Sequence, residues 1–582
     1  MNKIIGLIAL SALMTFPNIA QAQQLNLAYP PANHQTTAEK IFFIGTAPPE
    51  DTVFINNQPI QRSNAGHFAP SLPLEIGENI FTLRYQNEEI TITITRINPE
   101  QKIPTEVTFA PDSLTPTANI AKLPGELICF SAVAPPNGQV SVLLNNQTIP
   151  LQPQLPTVNL PPNSALLTAE NQPKNSSNIG KYQGCTMINK PGFLGKPLFQ
   201  LNLAEETITQ ESMGNIEILD PTQLEVREIT EIAGITRTGP STNYSRLTPL
   251  PQGTRASVTG KEGEWLRLDY GSWIKAEETQ IIPHNIPPKS IIRSITSRQL
   301  PGVTEIIFPL EIPVPITVQQ GDKTFTLTLY NTTAQTDIIR MDENSLIKRL
   351  DWQQITPTQI EYKFNLKSEQ QWGYDLKYEG TNLILSLRHP PTITEDLNGI
   401  KILLDPGHGG EEIGAKGPTG YPEKDVNLAV AQLLKQALIQ RGAMVYLTRE
   451  TDKYLSLEDR VEMINQLKPD IALSIHYNAL PDDGDGINTA GVSAFWYHPQ
   501  AHNLAVFIQK YLVEKLNRPD YGVFWNNLAL TRPHSAPTVL LELGFIINPE
   551  EFEWIINQEK QQELAQAIAA AISQWFQLMV DG

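Results

Sequence analysis

The chain has 582 residues, of which 40% are hydrophobic and 18% charged, and carries a formal net charge of −18. That length calls for roughly three to five domains, and the acidic balance excludes the basic face that nucleic acid would require. No Lys/Arg run offers an anchor on anionic lipid, and the 47 prolines, mostly before residue 400, predict short β-rich units joined by stiff connectors.

Residues 1–22 read as a secretory signal. Lys3 gives the positive start, Ile4–Phe16 the apolar run and Ala20-Gln21-Ala22 the small-residue cleavage pattern. The run is short for a membrane span and Pro17 interrupts it. No later stretch is long and apolar enough to cross a bilayer, so the expected product is exported, to a periplasm or to the medium and cell wall, with no transmembrane segment. Cys129 and Cys185 are an even pair in an exported chain, which makes them a disulfide candidate. Two buried thiols are the alternative. Two cysteines cannot make a thiolate zinc site, so any metal must use His and carboxylate.

From residue 30 to 98, short alternating runs such as NIFTLRY and ITITITR are separated by turn residues, which predicts an antiparallel β-sandwich. IFFIGTAPPEDTVFINNQPI (41–60) aligns with ICFSAVAPPNGQVSVLLNNQTI (128–149), an Ala-Pro-Pro turn followed by a strand into Asn-Asn-Gln in each. This argues for a duplication, with a second β domain over 105–213. Both copies resemble bacterial immunoglobulin-like domains. Residues 155–213 are rich in Pro, Asn and Ser and are expected to be a long loop.

Residues 228–283 contain Arg237-Thr238-Gly239-Pro240-Ser241, Leu250, Gly253, Trp265 and Gly271-Ser272-Trp273-Ile274. The glycines are tight-turn residues between five short strands, with the two tryptophans at strand positions, and the segment resembles the bacterial SH3-like wall-targeting domain. Trp265 and Trp273 are expected to pack in its core. Residues 289–390 alternate again in TEIIFPL, TFTLTLYN, QIEYKFNL and NLILSLR, and resemble the AMIN domain, a β-sandwich. HNIPPK (284–289) and HPPTITED (389–396) read as linkers.

The texture changes over 398–582. KILLD and AMVYLTR read as strands, DVNLAVAQLLKQALIQRG (425–442) and SLEDRVEMINQLK (456–468) as helices, and 557–578 as a closing helix. Strands alternating with helices predict an α/β domain with a mostly parallel sheet flanked by helices. Ligands bind outside the carboxyl ends of such strands. His408 follows one strand, His476 ends IALSI, Glu542 ends TVLL, and Glu423 sits just before a helix, following Pro422. Zinc catalysis needs three N/O ligands, an open position, and a nearby carboxylate to carry protons, which four such residues can supply.

KILLDPGHGGEEIGAKGPTGYPEKDVNLA, YLTRETD, SLEDRV, DIALSIHYNA and APTVLLELGFIINPEE occur in order over residues 400–577. This region resembles the zinc-dependent N-acetylmuramoyl-L-alanine amidases of bacterial cell walls. The resemblance implies one zinc ion held by His408, Glu423 and His476, with Glu542 as the catalytic carboxylate. It also implies peptidoglycan as substrate, cut between the lactyl group of N-acetylmuramic acid and L-alanine. Asn478, Arg449 and Arg532 are further candidates for positioning substrate, although ion pairing explains either arginine equally. His498, His502 and His534 are expected at the surface or rim.

Some relatives plug the site with a helical insertion after the second histidine. Only ALPDDGDGINTA lies between Asn478 and Gly491 here, so an unplugged cleft is expected. Other wall-directed zinc hydrolases (a peptidase or deacetylase) and a non-catalytic wall-binding regulator are the alternatives. Activator proteins and the ligands of the β domains are not specified by the sequence.

Overall fold

The computed structural model describes residues 24–98, 102–161, 172–283, 286–343, 346–392 and 396–581. The expected signal segment 1–22 and parts of both linkers lie outside the described residues. Among the described residues, no helix is long and apolar enough to cross a membrane.

Among the described residues before 390, the structure is strands and connecting segments, apart from the helical turn Ala276–Glu278. Residues 26–96 form two main sheets, of three and five strands, around Ile41, Phe43, Val53, Phe68, Leu83 and Ile94. In the next unit Leu127–Val133, Gln139–Leu144 and Gln147–Pro153 share a six-stranded sheet with Lys181–Met187, Leu198–Leu203 and Glu206–Glu211. Among its described residues, the long loop expected over 155–213 is therefore largely strand. Its polar residues alternate with buried Tyr182, Phe199 and Leu201, a pattern that the Pro and Asn content of the segment obscures. Cys129 and Cys185 stand opposite each other on neighbouring strands of this sheet and are bridged.

The two Asn-Asn-Gln segments have the same backbone. Asn56 and Asn57 have φ of 47° and 65°, and Asn145 and Asn146 have φ of 47° and 62°. Each pair turns a hairpin, Val53–Ile55 onto Gln58–Pro59 and Gln139–Leu144 onto Gln147–Pro153. Two consecutive left-handed residues suit the right-handed twist of the flanking strands, and Asn tolerates them.

Residues 226–281 are strands around Ile229, Leu250, Val258, Leu266, Leu268 and Ile274, with Trp265 and Trp273 both buried. Arg255–Glu262 continues the sheet into Ile120–Lys122, so this unit shares hydrogen bonds with the preceding one. Residues 290–388 form five-stranded and four-stranded sheets packed around Ile295, Phe308, Phe325, Leu327, Tyr362 and Leu385.

The C-terminal domain contains β1 (Lys401–Pro406), α1 (Glu423–Gln440), β2 (Met444–Leu447), α2 (Leu457–Leu467), β3 (Ile471–Asn478), β4 (Val492–Trp496), α3 (Pro499–Leu516), β5 (Asp520–Trp525), β6 (Thr538–Phe545), α4 (Pro549–Ile555) and α5 (Gln558–Asp581). The sheet order is β2-β1-β3-β6-β4-β5, with β4 antiparallel to β6 and the other pairs parallel. Alternation along the strands splits the core. Ile402, Leu404, Leu473, Ile475, Leu541 and Leu543 face α1, α3 and α5, whereas Leu403, Ala472 and Leu540 face Ile464 of α2 and Leu530. Ser456 caps α2 in a reciprocal capping box with Asp459.

Residues 26–96 and 290–388 are packed onto this domain. Phe42 and Trp372 belong to its hydrophobic core, and the Trp372 ring stacks on Phe576 at 5.8 Å. Residues 26–96 hold the loop after β3. Tyr29 donates its hydroxyl to Asp482, His34 Nε2 lies 3.0 Å from the same carboxylate, and Ser71 Oγ donates to Gly484 O at 2.8 Å. Arg388 pairs with Asp470 at 3.1 Å on the other side.

Candidate metal centre

His408 sits two residues beyond β1, in the loop that Asp405-Pro406-Gly407-His408-Gly409-Gly410 forms. Its φ of 59° is left-handed, a conformation that a non-glycine residue adopts only when its surroundings hold it there. Those surroundings are two buried arginines. Arg460 Nη2 donates to His408 O at 2.7 Å and Arg460 Nη1 to Asp405 Oδ1 at 2.6 Å. Arg449 Nε donates to Pro406 O at 3.0 Å, and its Nη2 donates to Gly407 O at 2.9 Å and Lys424 O at 2.7 Å.

Glu423 is the first residue of α1 and is 3% exposed. Its carboxylate bridges the two histidines, with Oε2 3.1 Å from His408 Nε2 and Oε1 3.0 Å from His476 Nδ1. Ala415 N, Tyr477 N and Asn427 Nδ2 also donate to it, at 3.0, 3.1 and 3.0 Å. Burial favours the neutral acid, but the two imidazoles outweigh it and hold the Glu423 carboxyl well below the usual range. Burial also works against a charged His408, and there the carboxylates of Glu423 and Glu412 prevail and raise its pKa.

The ligand atoms of His408, Glu423 and His476 all lie within 4.8 Å of one another. Among the described residues no fourth His, Cys, Asp or Glu joins that group. The Nδ1 of His408 is 3.0 Å from Glu412 Oε1, which leaves Nε2 facing Glu423. Space for the imidazoles comes from glycine. A Cβ on Gly407 would overlap the His476 ring, and one on Gly414 would meet both Glu423 and His408. Two imidazole nitrogens and one carboxylate oxygen at a solvent-reached rim fit a zinc ion with a free position.

Glu542 stands beside His476, its register partner on β6. Its Oε2 is shut off from solvent and has no hydrogen-bond partner. Burial, reinforced by the charge of Glu423, pushes its pKa well above the ordinary value. A buried carboxyl oxygen without a partner is costly, and this one lies within the electrostatic reach of Glu423.

The structure brings His408, Glu423, His476 and Glu542 together at one end of the sheet. Asn478 is at the same end, with Oδ1 bonded to Ala479 N and Nδ2 buried without a partner. Two arginines depart from the expected positioning role. Arg449 is 1% exposed and turned inward onto backbone carbonyls, so it holds the ligand loop. Arg532 precedes β6 at the opposite end of the sheet, with Nε on Asn527 Oδ1 at 2.6 Å. His498 and His534, expected at the surface, are half-buried against Tyr374, because the 290–388 unit covers that end of the domain. Asp405 and Arg460 were not singled out from sequence. The signal was a charged residue on the apolar face of α2, opposite a strand that ends in Asp.

Residues 402–574 match the protein family described as N-acetylmuramoyl-L-alanine amidase. A probable cell wall amidase, LytH, of Staphylococcus epidermidis is 37% identical over 182 residues, covering 31% of this chain and 60% of that protein. LytH of Staphylococcus aureus is 38% identical over the same length. The chain thus spans about three fifths of the curated relatives it matches, at 60%. Among solved structures, an N-acetylmuramoyl-L-alanine amidase of Clostridium difficile 630 is 31% identical. The match covers 31% of this chain and 98% of that one, with a TM-score of 0.30. The amidase AmiC2 of Nostoc punctiforme is 28% identical, with coverage of 31% and 99% and a TM-score of 0.30.

Proposed function

Because the C-terminal domain of this chain belongs to the N-acetylmuramoyl-L-alanine amidase family, we propose that the protein hydrolyses the amide between the lactyl group of N-acetylmuramic acid and L-alanine in peptidoglycan. The observation that carries this reading is the His408–Glu423–His476 group beside the orphaned carboxyl of Glu542.

His408, Glu423 and His476 would hold one zinc ion, which when bound polarises a carbonyl and acidifies a water. Glu423 neutralises part of the charge and orients both imidazoles through its two oxygens. Glu412 fixes the His408 ring from behind. Glu542 receives the proton of the attacking water and delivers it to the departing L-alanine nitrogen, a task suited to a carboxyl whose pKa lies above the ordinary range. The lactyl carbonyl carbon gains oxygen, and the peptide leaves with a free amine.

The loop 479–490 contributes no helix and no ligand to the site, which supports an unplugged cleft. We further propose that residues 30–98 and 105–213 are immunoglobulin-like, 228–283 SH3-like and 289–390 AMIN-like, and that together they keep an exported enzyme at the wall. Residues 30–98 and 289–390 pack directly against the catalytic domain, which supports a fixed frame rather than a flexible tether.

The test is mass spectrometry of purified muropeptides incubated with the protein, with and without chelator. Free stem peptide plus unsubstituted N-acetylmuramic acid, lost with chelator, is the expected result. Cleavage within the peptide or release of acetate would replace the amidase reading with a peptidase or a deacetylase, and an inert protein with a wall-binding regulator.

A further inference from the structure

The sequence carries no cluster of basic residues, yet the fold assembles one far from the metal centre. Arg237 and Arg246 are bridge partners in the 226–281 unit. Arg532 comes from the segment before β6. Tyr497 joins the two units: its hydroxyl reaches Arg246 O at 3.5 Å, and the neighbouring His498 Nε2 is 2.7 Å from Arg532 O. Among the described residues none of the three guanidiniums forms an ion pair within 4.0 Å. Glu278 is the one carboxylate close enough to influence Arg237 and Arg246, and it is itself engaged by Ile235 N at 2.6 Å.

The hydrogen-bond partners of Arg237 and Arg532 are neutral, since Arg237 Nη1 donates to Thr242 O and Tyr244 O and Arg532 Nε to Asn527 Oδ1. Arg246 and Arg532 are half-buried, and Arg237 is 9% exposed with its Nε unpartnered. Burial, together with the charges of Arg246 and Arg237, pushes Arg532 down to about 10. Like charges held together where water is partly excluded are stabilised by a bound anion, and the guanidinium fork favours carboxylate or phosphate.

The aromatic residues indicate what carries the anion. Trp525 is 60% exposed, fixed by its Nε1 donating to Tyr497 O at 3.0 Å, with its ring 5.3 Å from that of Tyr497. A large apolar ring held rigid in solvent is a platform for a flat, partly apolar partner such as the face of a sugar ring. Cationic side chains and an exposed aromatic surface are thus neighbours around Tyr497 and His498.

We propose that the cleft formed by Arg246, Arg532, Tyr497 and Trp525 binds glycan whose muramic acid residues carry a free lactyl carboxylate. This rests on the amidase reading, since hydrolysis of the lactyl amide converts a neutral group into that carboxylate. Substrate glycan still carrying its peptide at the lactyl group lacks the charge, so the cleft discriminates product from substrate. Because it lies at the opposite end of the sheet from His408, it holds a stripped strand while the metal centre works elsewhere on the wall.

The experiment measures binding of three probes to the full chain by titration calorimetry: N-acetylmuramic acid, its lactyl amide, and N-acetylglucosamine 6-phosphate. Arg246→Gln, Arg532→Gln and Trp525→Ala are compared with wild type, with muropeptide hydrolysis and thermal midpoint followed in parallel. The expected result is binding of N-acetylmuramic acid that weakens with salt and falls at least about tenfold in each variant. The amide should bind at least about tenfold more weakly, and hydrolysis of soluble muropeptide should be unchanged. Equal affinity for the lactyl amide, tighter binding of the sugar phosphate, or affinity unaffected in all three variants would overturn the proposal. A protein that fails to hydrolyse muropeptide yet binds N-acetylmuramic acid through these residues would refute the amidase reading and leave the cleft standing.

Discussion

Asp405 and Arg460 form an ion pair at 2.6 Å with the two side chains 1% and 2% exposed, directly beneath the loop that carries His408. Ser474 and Thr448 complete the shell by donating to Asp405 Oδ2 and Oδ1, each at 2.6 Å. Breaking such a pair from one side strands a buried charge, at a cost of about 3–5 kcal/mol. Arg460→Met should lower stability by that order in denaturant titration and abolish activity, because His408 O loses its donor. Asp405→Asn with Arg460→Met should recover part of the stability and none of the activity.

The same pair sets an acid limit. Burial opposes ionisation of Asp405, but Arg460 and the two hydroxyl donors hold its pKa below the ordinary value. The depressed carboxylate contributes stability above the unfolded pKa of about 3.9. That contribution is lost as pH falls through the lower folded value. Unfolding midpoints of wild type and Asp405→Asn should therefore converge below about pH 4.

His498 acts at higher pH. Burial, helped by the nearby His534, pushes its pKa down to about 3. The unfolded chain, with a pKa near 6.5, then binds more protons, so stability is complete above about pH 6.5 and declines as pH falls towards 3. His534 and Tyr374 share this interface, and burial also lowers the His534 pKa. His498→Phe should flatten the thermal midpoint between pH 6.5 and 4, measured by scanning calorimetry; an unaltered slope would contradict the assignment.

Gly407 gives a cleaner probe of the site than any ligand. Its missing Cβ is the space that the His476 ring occupies. Gly407→Ala should displace His476, reduce metal affinity at least about tenfold and leave the circular dichroism spectrum unchanged. Metal binding as tight as in wild type would contradict this packing.

The clasp on the loop after β3 predicts a local effect. Asp482→Ala removes the acceptor shared by Tyr29 and His34. Amide exchange should quicken in 479–490 and remain unchanged in α1. Trp372→Ala, which empties the space against Phe576, should cost about 3–5 kcal/mol.

Much of the site was legible because strand ends mark where an α/β sheet works. His408, His476 and Glu542 each follow or end an apolar run, and the two histidines have no packing reason to be there. The fold around them was less legible for a definite physical reason. In Lys40–Phe42 and the following residues, Ile41 and Phe43 fill their own sandwich while Phe42 enters the core of a domain more than 350 residues away. The unbroken IFFIG run was the trace of a strand buried on both faces, although alternation elsewhere in the sandwich suggested one wet face. Arg246 and Arg532 were illegible as a pair, since only the docking of two units brings them together.

In the proposed mechanism three residues hold the metal and a fourth moves the proton. Zinc content per chain, measured by elemental mass spectrometry on wild type, Glu423→Gln and Glu542→Gln alongside muropeptide hydrolysis, tests it most directly. About one zinc is expected in wild type and in Glu542→Gln, with a marked loss in Glu423→Gln and hydrolysis by wild type alone. Zinc lost from Glu542→Gln as completely as from Glu423→Gln, or hydrolysis retained without Glu542, would contradict it.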